Sequence, residues 1–258
     1  MSVPTVIVHR DAEVLAQAAA ARLITRLVDT QAARGSAHVV LTGGTVGIAT
    51  LAAVAATAAR DAIDWRALDI WWGDERFLPD GHPERNETGA RQALLDHVDL
   101  DPARVHPMPG PDSGLSPEEA AESYAIELAK AARPEDHGPV PQFDLLLLGM
   151  GPDGHVASLF PGQPALYEKD RSVVAVHGSP KPPPTRISLT FPAINAAREV
   201  WVVAGGGEKA QAVHLALSTA GPMQVPAAGA RGRHGTLFLL DRASAAKIPS
   251  TLGRIASP

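Results

Sequence analysis

FDLLLLGMGPDGHVASLFPG, residues 143–162, contains the most uniformly apolar run in the chain followed at once by a glycine-rich turn. Phe143 to Leu148 carries no alternation of polar and apolar positions. That pattern predicts a strand covered on both faces, as in a parallel sheet between helices. Gly149, Gly151 and Gly154 let the chain reverse tightly after it. His155 then stands just beyond the strand, with Asp153 two residues before it. In open parallel sheets, ligands bind outside the carboxyl ends of the strands. Histidine is also the side chain whose ordinary pKa suits base chemistry near neutrality. His155 is therefore the leading candidate for a general base. GMGPDG matches G-x-G-x-x-G literally, but Pro161, Gly162 and Pro164 cut short the helix that a dinucleotide site requires.

Outward from this stretch, short β-rich runs alternate with alanine-rich helical ones. Toward the N-terminus, Thr5 to His9 reads as a strand. Asp11 then caps a helix through about Arg34, which Gly35 stops. His38 to Leu41 is a second strand, followed by a Gly-rich turn and a helix to about Arg60. Ala67 to Trp72 is a third strand, with helices over Glu87 to His97 and Ser116 to Ala132. Beyond residue 162, strands are expected at Val173–Val176, Thr185–Thr190, Glu199–Ala204 and Thr236–Leu240, with a helix from Glu208 to Leu217. The alternation predicts an α/β fold, a mainly parallel sheet flanked by helices in a Rossmann-like arrangement. Pro- and Gly-rich stretches at 101–117, 133–142 and 178–184 read as surface loops. A single domain over 1–258 is expected.

Composition narrows the function. The 258 residues include 23 basic and 28 acidic side chains, a formal net charge of -5. Such a chain is a poor candidate for non-specific nucleic-acid binding, which needs a basic face. The absence of cysteine excludes disulfides, thiol nucleophiles and cysteine-ligated zinc. No HExxH or comparable spacing appears, so neither a metal nor another cofactor is expected. No run approaches the roughly 18 apolar residues of a membrane span. MSVPTVIVHRDAE does not read as a signal peptide, so a cytoplasmic protein is expected.

Three further strand ends carry candidate chemistry. LTGGTVG (Leu41–Gly47) is either a tight turn needing glycine or a cradle of backbone N–H groups aimed at an anion. It lacks the Gly-Lys-Ser/Thr ending of a P-loop. WWGDERF (Trp71–Phe77) places Asp74, Glu75 and Arg76 after an apolar strand, either as a solvated ion pair or as groups that orient a histidine or hold a substrate. Arg186 opens RISLTF, and Lys209 follows Gly205-Gly206-Gly207 at a helix start. A lysine in a first helical turn opposes the helix dipole. It is either an exposed lysine or one that answers a bound anion. Ser158 does not sit in a G-x-S-x-G elbow and is not expected to be a nucleophile.

Taken together and in this order, WWGDERF, GMGPDGHVASLFPG, RISLTFPAIN and GGGEKA resemble the 6-phosphogluconolactonase family. The resemblance implies the α/β fold of sugar-phosphate isomerases and deaminases, and hydrolysis of a sugar-phosphate lactone by histidine-activated water. Composition and residue spacing, as above, point to no cofactor and to no nucleic-acid or membrane partner. His155 would be the base with Asp74 beside it. Arg76, Arg186 and Lys209 would bind the anionic substrate, and Gly43, Gly44 and Thr45 would lie at its phosphate. Many members carry Ser-Asn where this chain has Arg85-Asn86; Asn86 is kept as a substrate contact. Glucosamine-6-phosphate deaminase is similar in its Gly-rich turn and Asp-Gly-His. Its pattern continues to Asn-Glu-Pro, where this chain has Leu159-Phe160-Pro161. A non-catalytic sugar-phosphate sensor on the same fold is the other alternative.

Overall fold

The computed structural model describes residues 3–218, 220–249 and 251–256. Among the described residues, ten strands and six α-helices follow in chain order: β1 (Thr5–His9), α1 (Ala12–Arg34), β2 (Ala37–Leu41), α2 (Gly44–Ala56), β3 (Leu68–Trp72), β4 (Asp74–Arg76), α3 (Asn86–Ala93), α4 (Pro117–Ala131), β5 (Leu145–Gly149), β6 (Val173–Val176), β7 (Arg186–Leu189), α5 (Phe191–Ile194), β8 (Glu199–Ala204), α6 (Ala210–Ala216), β9 (Gly235–Asp241) and β10 (Gly253–Ile255). Seven strands form one sheet in the order β10-β1-β9-β8-β5-β2-β3. Every neighbouring pair in it is parallel.

The sheet is apolar on both faces, as the run at β5 requires. Leu146 and Leu148 join Val40, Trp71, Val200, Val202 and Phe238 in one core. Leu145 and Leu147 join Val39, Ile70, Trp72, Trp201 and Leu239 in the other. Successive residues alternate between the two cores, which is the period of two that a pleated strand imposes. Helix α1 closes the second core through Leu15, Ala19, Leu23 and Leu27, spaced four apart on one face. Its start is fixed by Asp11, whose carboxylate accepts from the Val14 N–H, and its end by Gly35 in the left-handed region at φ 79°.

The remaining strands depart from the expected pattern. β6 and β7 do not join the parallel sheet. They form a separate antiparallel sheet with β4, in the order β4-β7-β6. The reason is connection length: nine residues separate Val176 from Arg186, whereas a parallel crossover takes about a dozen or more. The charged triplet Asp74-Glu75-Arg76 is itself a strand, and Gly253–Ile255 adds a further one beside β1.

Three helices are shorter than their sequences suggest. The segment after Gly44 leaves the α-helix at Ala56 and ends in a 3-10 turn over Ala58–Ala62. α3 stops at Ala93. Gly207–Lys209 is a 3-10 turn, so Lys209 precedes α6 instead of lying in its first turn. Among the described residues, no helix is long and apolar enough to cross a membrane.

Candidate active site

The carboxyl ends of β2, β3, β5 and β8 lie side by side and open into a cleft of about 400 Å³, within the size range of small-ligand sites. It is lined by Gly43, Gly44 and Thr45 after β2, by Asp74, Arg76 and Asn86, by Gly151 and His155 after β5, and by Lys181, Arg186, Glu208 and Lys209. The cleft thus brings together all nine residues singled out from the sequence. A larger depression of about 600 Å³ lies beyond α3, bordered by Asp80, Arg85, Glu87 and Arg91. It contains no histidine and none of the sheet's carboxyl ends.

His155 is held from both sides. Its Nδ1 lies 2.5 Å from Asp153 Oδ1, and its ring packs against Phe160 with centroids 4.4 Å apart. The reversal that presents it is closed by Gly151 N–H to the His155 carbonyl and by Gly154 N–H to the Gly151 carbonyl. A Cβ at Gly151 would lie 2.2 Å from the imidazole, and Gly154 has φ +83°. The glycines are therefore required by the histidine's placement and by the turn. Burial pushes the Asp153 carboxyl up, but the hydrogen bond and charge of His155 outweigh it and hold Asp153 below its ordinary value. With Nδ1 tied to a carboxylate, Nε2 is the nitrogen left without a protein partner among the described residues.

The carboxylate on His155 is thus Asp153, and not Asp74 as the resemblance suggested. Asp74 Oδ2 accepts from Ser158 Oγ at 2.7 Å, and its Oδ1 lies 3.3 Å from Asn86 Nδ2. Ser158 is fully buried and already committed to that bond. Asn86 also donates to the Asp74 carbonyl and accepts from Arg76 Nη1 at 2.5 Å. Its amide is consumed in fixing Asp74 and Arg76. Glu75 falls on the opposite face of β4, where it caps α3: its carboxylate accepts from the N–H groups of Arg76, Asn86 and Glu87. Burial nevertheless pushes its pKa up to about 7, against those hydrogen bonds and the nearby Arg85. Arg85 is buried under the loop, donating to the carbonyls of Leu78 and Met108 and to Glu87. It borders the outer depression and is absent from the cleft lining.

The cleft favours anions. Arg76 and Arg186 are direct cross-strand partners on β4 and β7, a like-charge pairing that is unfavourable on its own. Lys181 and Lys209 add two more cations, against the carboxylates of Asp74 and Glu208. Burial is the main cause that lowers the Lys209 pKa, and it lowers that of Arg186 as well. The N-terminus of α2 also faces the cleft. Gly43 makes no side-chain cap and the first turn has no acidic residue, so its N–H groups remain open to a ligand. A Cβ at Gly43 would sit 1.8 Å from Asn86 Oδ1, which packs this turn directly on the Asp74–Asn86–Arg76 group.

Residues 10–239 match the family described as glucosamine-6-phosphate isomerases/6-phosphogluconolactonase. The 6-phosphogluconolactonase of Streptomyces coelicolor is 64% identical over 251 residues, 96% of each chain. The chain belongs to the 6-phosphogluconolactonase family. The Mycobacterium tuberculosis 6-phosphogluconolactonase is 51% identical over 242 residues, covering 93% of this chain and 96% of that protein. The solved 6-phosphogluconolactonase of Trypanosoma brucei superposes with a TM-score of 0.82 at 31% identity, over 95% of this chain and 99% of that one. A monomeric glucosamine-6-phosphate deaminase of the NagB superfamily shares the fold, with a TM-score of 0.76 at 19% identity, over 94% of this chain and 99% of that one.

Two functional residues lie outside the sequence expectations. Asp153 meets the imidazole from behind the cleft, and its signal in the sequence is the Asp-x-His spacing. Lys181 lies in a proline-rich stretch that reads as a loop, with no local pattern pointing to the cleft.

Proposed function

We propose that this chain hydrolyses 6-phospho-D-glucono-1,5-lactone to 6-phosphogluconate by direct attack of a water molecule activated at His155. Relatives of this chain are 6-phosphogluconolactonases, and the make-up of the cleft supports the mechanism. The observation that carries it is an imidazole whose Nδ1 is tied to Asp153 at 2.5 Å, in a cleft bordered by four cationic side chains.

Asp153 fixes the tautomer that leaves Nε2 unprotonated. Nε2 takes a proton from water, and the oxygen attacks C1 of the lactone. Negative charge develops on the carbonyl oxygen, and the cationic cleft stabilises it. The tetrahedral intermediate then collapses with cleavage of the bond from C1 to the ring oxygen. His155 returns its proton to that oxygen, which leaves as a hydroxyl. The new carboxylic acid ionises and releases one proton, and the enzyme is restored. No covalent intermediate is required. Positioned proton transfer of this kind contributes roughly 10²–10⁴-fold.

The phosphate is held by the open N-terminus of α2 at Gly43, Gly44 and Thr45, with Arg186 and Lys209. Asn86 acts through Asp74 and Arg76, holding Arg76 toward the anion. Freshly prepared 6-phosphogluconolactone assayed by base titration, with the uncatalysed opening subtracted, tests the proposal. The enzyme should consume base well above background, and His155→Ala should lower kcat by at least 10²-fold with the fold intact. Near-normal turnover by the folded variant would remove His155 from the mechanism.

A further inference from the structure

Residues 177–185 join β6 to β7 and bring Lys181 and Pro182 to the cleft. Little freedom is left in this segment. Ser179 N–H donates to the Pro184 carbonyl at 3.0 Å and closes the loop on itself. Ser179 Oγ donates to the Lys181 carbonyl at 2.9 Å and accepts from the Lys181 N–H at 3.3 Å. Arg186 takes the rest. Its Nη2 donates to the carbonyls of Lys181 and Pro182 at 3.2 and 3.1 Å, and its Nε to that of Pro183 at 3.3 Å. Each carbonyl from Lys181 to Pro184 is engaged, and three of these four residues are prolines with φ already fixed.

The backbone of Lys181 is therefore set, while its ammonium makes no hydrogen bond or ion pair among the described residues. An exposed lysine usually answers a nearby carboxylate or points into water. Here it borders the same cleft as Lys209, Arg186 and Arg76. Its charge is felt at both Lys209 and Asp153. Converging like charges repel one another, and a dianion among them would offset the repulsion. Arg186 cannot supply that anion with a two-pronged grip, because its Nε and Nη2 are spent on the loop. Nη1 alone is left without a protein partner among the described residues.

We propose that Lys181 is a further ligand of the substrate's phosphate, presented to the cleft by a loop that Arg186 clamps. This rests on the lactonase function proposed above, and it divides the work of Arg186 between holding the loop and meeting the anion. Holding the backbone before substrate arrives removes ordering cost from binding, so that only the lysine's side-chain torsions remain to be fixed.

The test compares wild type, Lys181→Ala and Lys181→Arg on 6-phosphogluconolactone and on gluconolactone, which lacks the phosphate. In Lys181→Ala the ratio of kcat/KM for the phosphorylated over the unphosphorylated lactone should fall about tenfold or more, through KM. Lys181→Arg should recover most of it. An unchanged ratio in Lys181→Ala, or an equal loss on both lactones, would overturn the assignment. Binding of inorganic phosphate by titration calorimetry provides a readout independent of turnover. Weaker phosphate binding by Lys181→Ala than by wild type supports the ligand role, and equal binding refutes it. If the wild type itself fails to open 6-phosphogluconolactone, the proposed function fails, and the calorimetry still decides the role of Lys181.

Discussion

Replacing Asp153 by Asn tests the orientation of His155 with a change of one atom and one charge. The bond from His155 Nδ1 to Asp153 Oδ1 is 2.5 Å long. Hydrogen bonds to a charged group are worth about 1.5–3 kcal/mol, and each 1.36 kcal/mol off a barrier is tenfold in rate. Asp153 is about one-third exposed, so solvent screening favours the lower part of that range. A loss in kcat of about 10- to 30-fold follows. The mechanism of loss is specific. The Asn amide can turn its NH₂ toward Nδ1 and favour the tautomer with the proton on Nε2, which cannot accept one from water. KM for the phosphorylated lactone should stay near its wild-type value, because Asp153 is not among the groups that hold phosphate. The fold should hold as well, since the turn is closed by backbone bonds at Gly151 and Gly154. Initial rates by base titration, with thermal unfolding as a check on folding, measure both. A folded Asp153→Asn variant with kcat within twofold of wild type would refute the orienting role.

Two further outcomes concern the frame around the site. Arg85→Met should destabilise the protein by about 3–5 kcal/mol, because Arg85 is buried and its loss leaves Glu75 without a counter-charge and the carbonyls of Leu78 and Met108 without their donor. A drop below about 1 kcal/mol in urea unfolding would show that Arg85 is replaceable. His106, stacked on Trp71, bonds Glu127 and Asp69. Burial alone would lower its pKa, but those bonds outweigh burial and hold it above 6.5. Its stabilisation is then full below pH 6.5 and lost as pH rises through the folded value. His106→Gln should flatten that part of the stability–pH profile, and an unaltered slope would exclude the pair with Asp69 and Glu127 as its source.

Local patterns made some elements legible and long-range pairing hid others. The apolar run at β5 announced a strand buried on both faces, and Leu145 to Leu148 do alternate between two cores. Asp11 and Gly35 marked the ends of α1 because capping is a local event. Asp74-Glu75-Arg76 looks nothing like a strand, since its β-structure comes from pairing with β7, more than a hundred residues away in sequence. Gly253–Ile255 is a strand for the same reason, through β1. His155 was legible from its position after a buried strand. The division of labour among the carboxylates was not. Asp153 meets the imidazole, while Asp74 is engaged by Ser158, which lies 84 residues away in sequence, and by Asn86. Arg85 was opaque because its partners at Leu78 and Met108 belong to loops that only the fold brings together.

Because a glucosamine-6-phosphate deaminase shares this fold at a TM-score of 0.76, the fold alone cannot decide between opening a lactone and releasing an amine. Both substrates carry a 6-phosphate, so anion binding cannot decide either. The difference lies at C1 and C2. A deaminase must open the ring and move a proton between those carbons, which calls for a carboxylate relay beside the histidine. Lactone hydrolysis needs one activated water and charge stabilisation. Leu159 and Phe160 occupy the place where the deaminase pattern supplies Asn-Glu. Both are fully buried, and the Phe160 ring packs under His155 with the Arg186 guanidinium 5.8 Å from its centre. That wall offers no proton. Asp74 is held by Ser158 and Asn86, and Asp153 is already bonded to Nδ1 of the base. The enzyme should therefore release no ammonia from glucosamine 6-phosphate, even at high enzyme concentration, while opening 6-phosphogluconolactone rapidly. Ammonia formation that disappears in His155→Ala, with no lactone opening above background, would mean that the apolar wall does not set the reaction class.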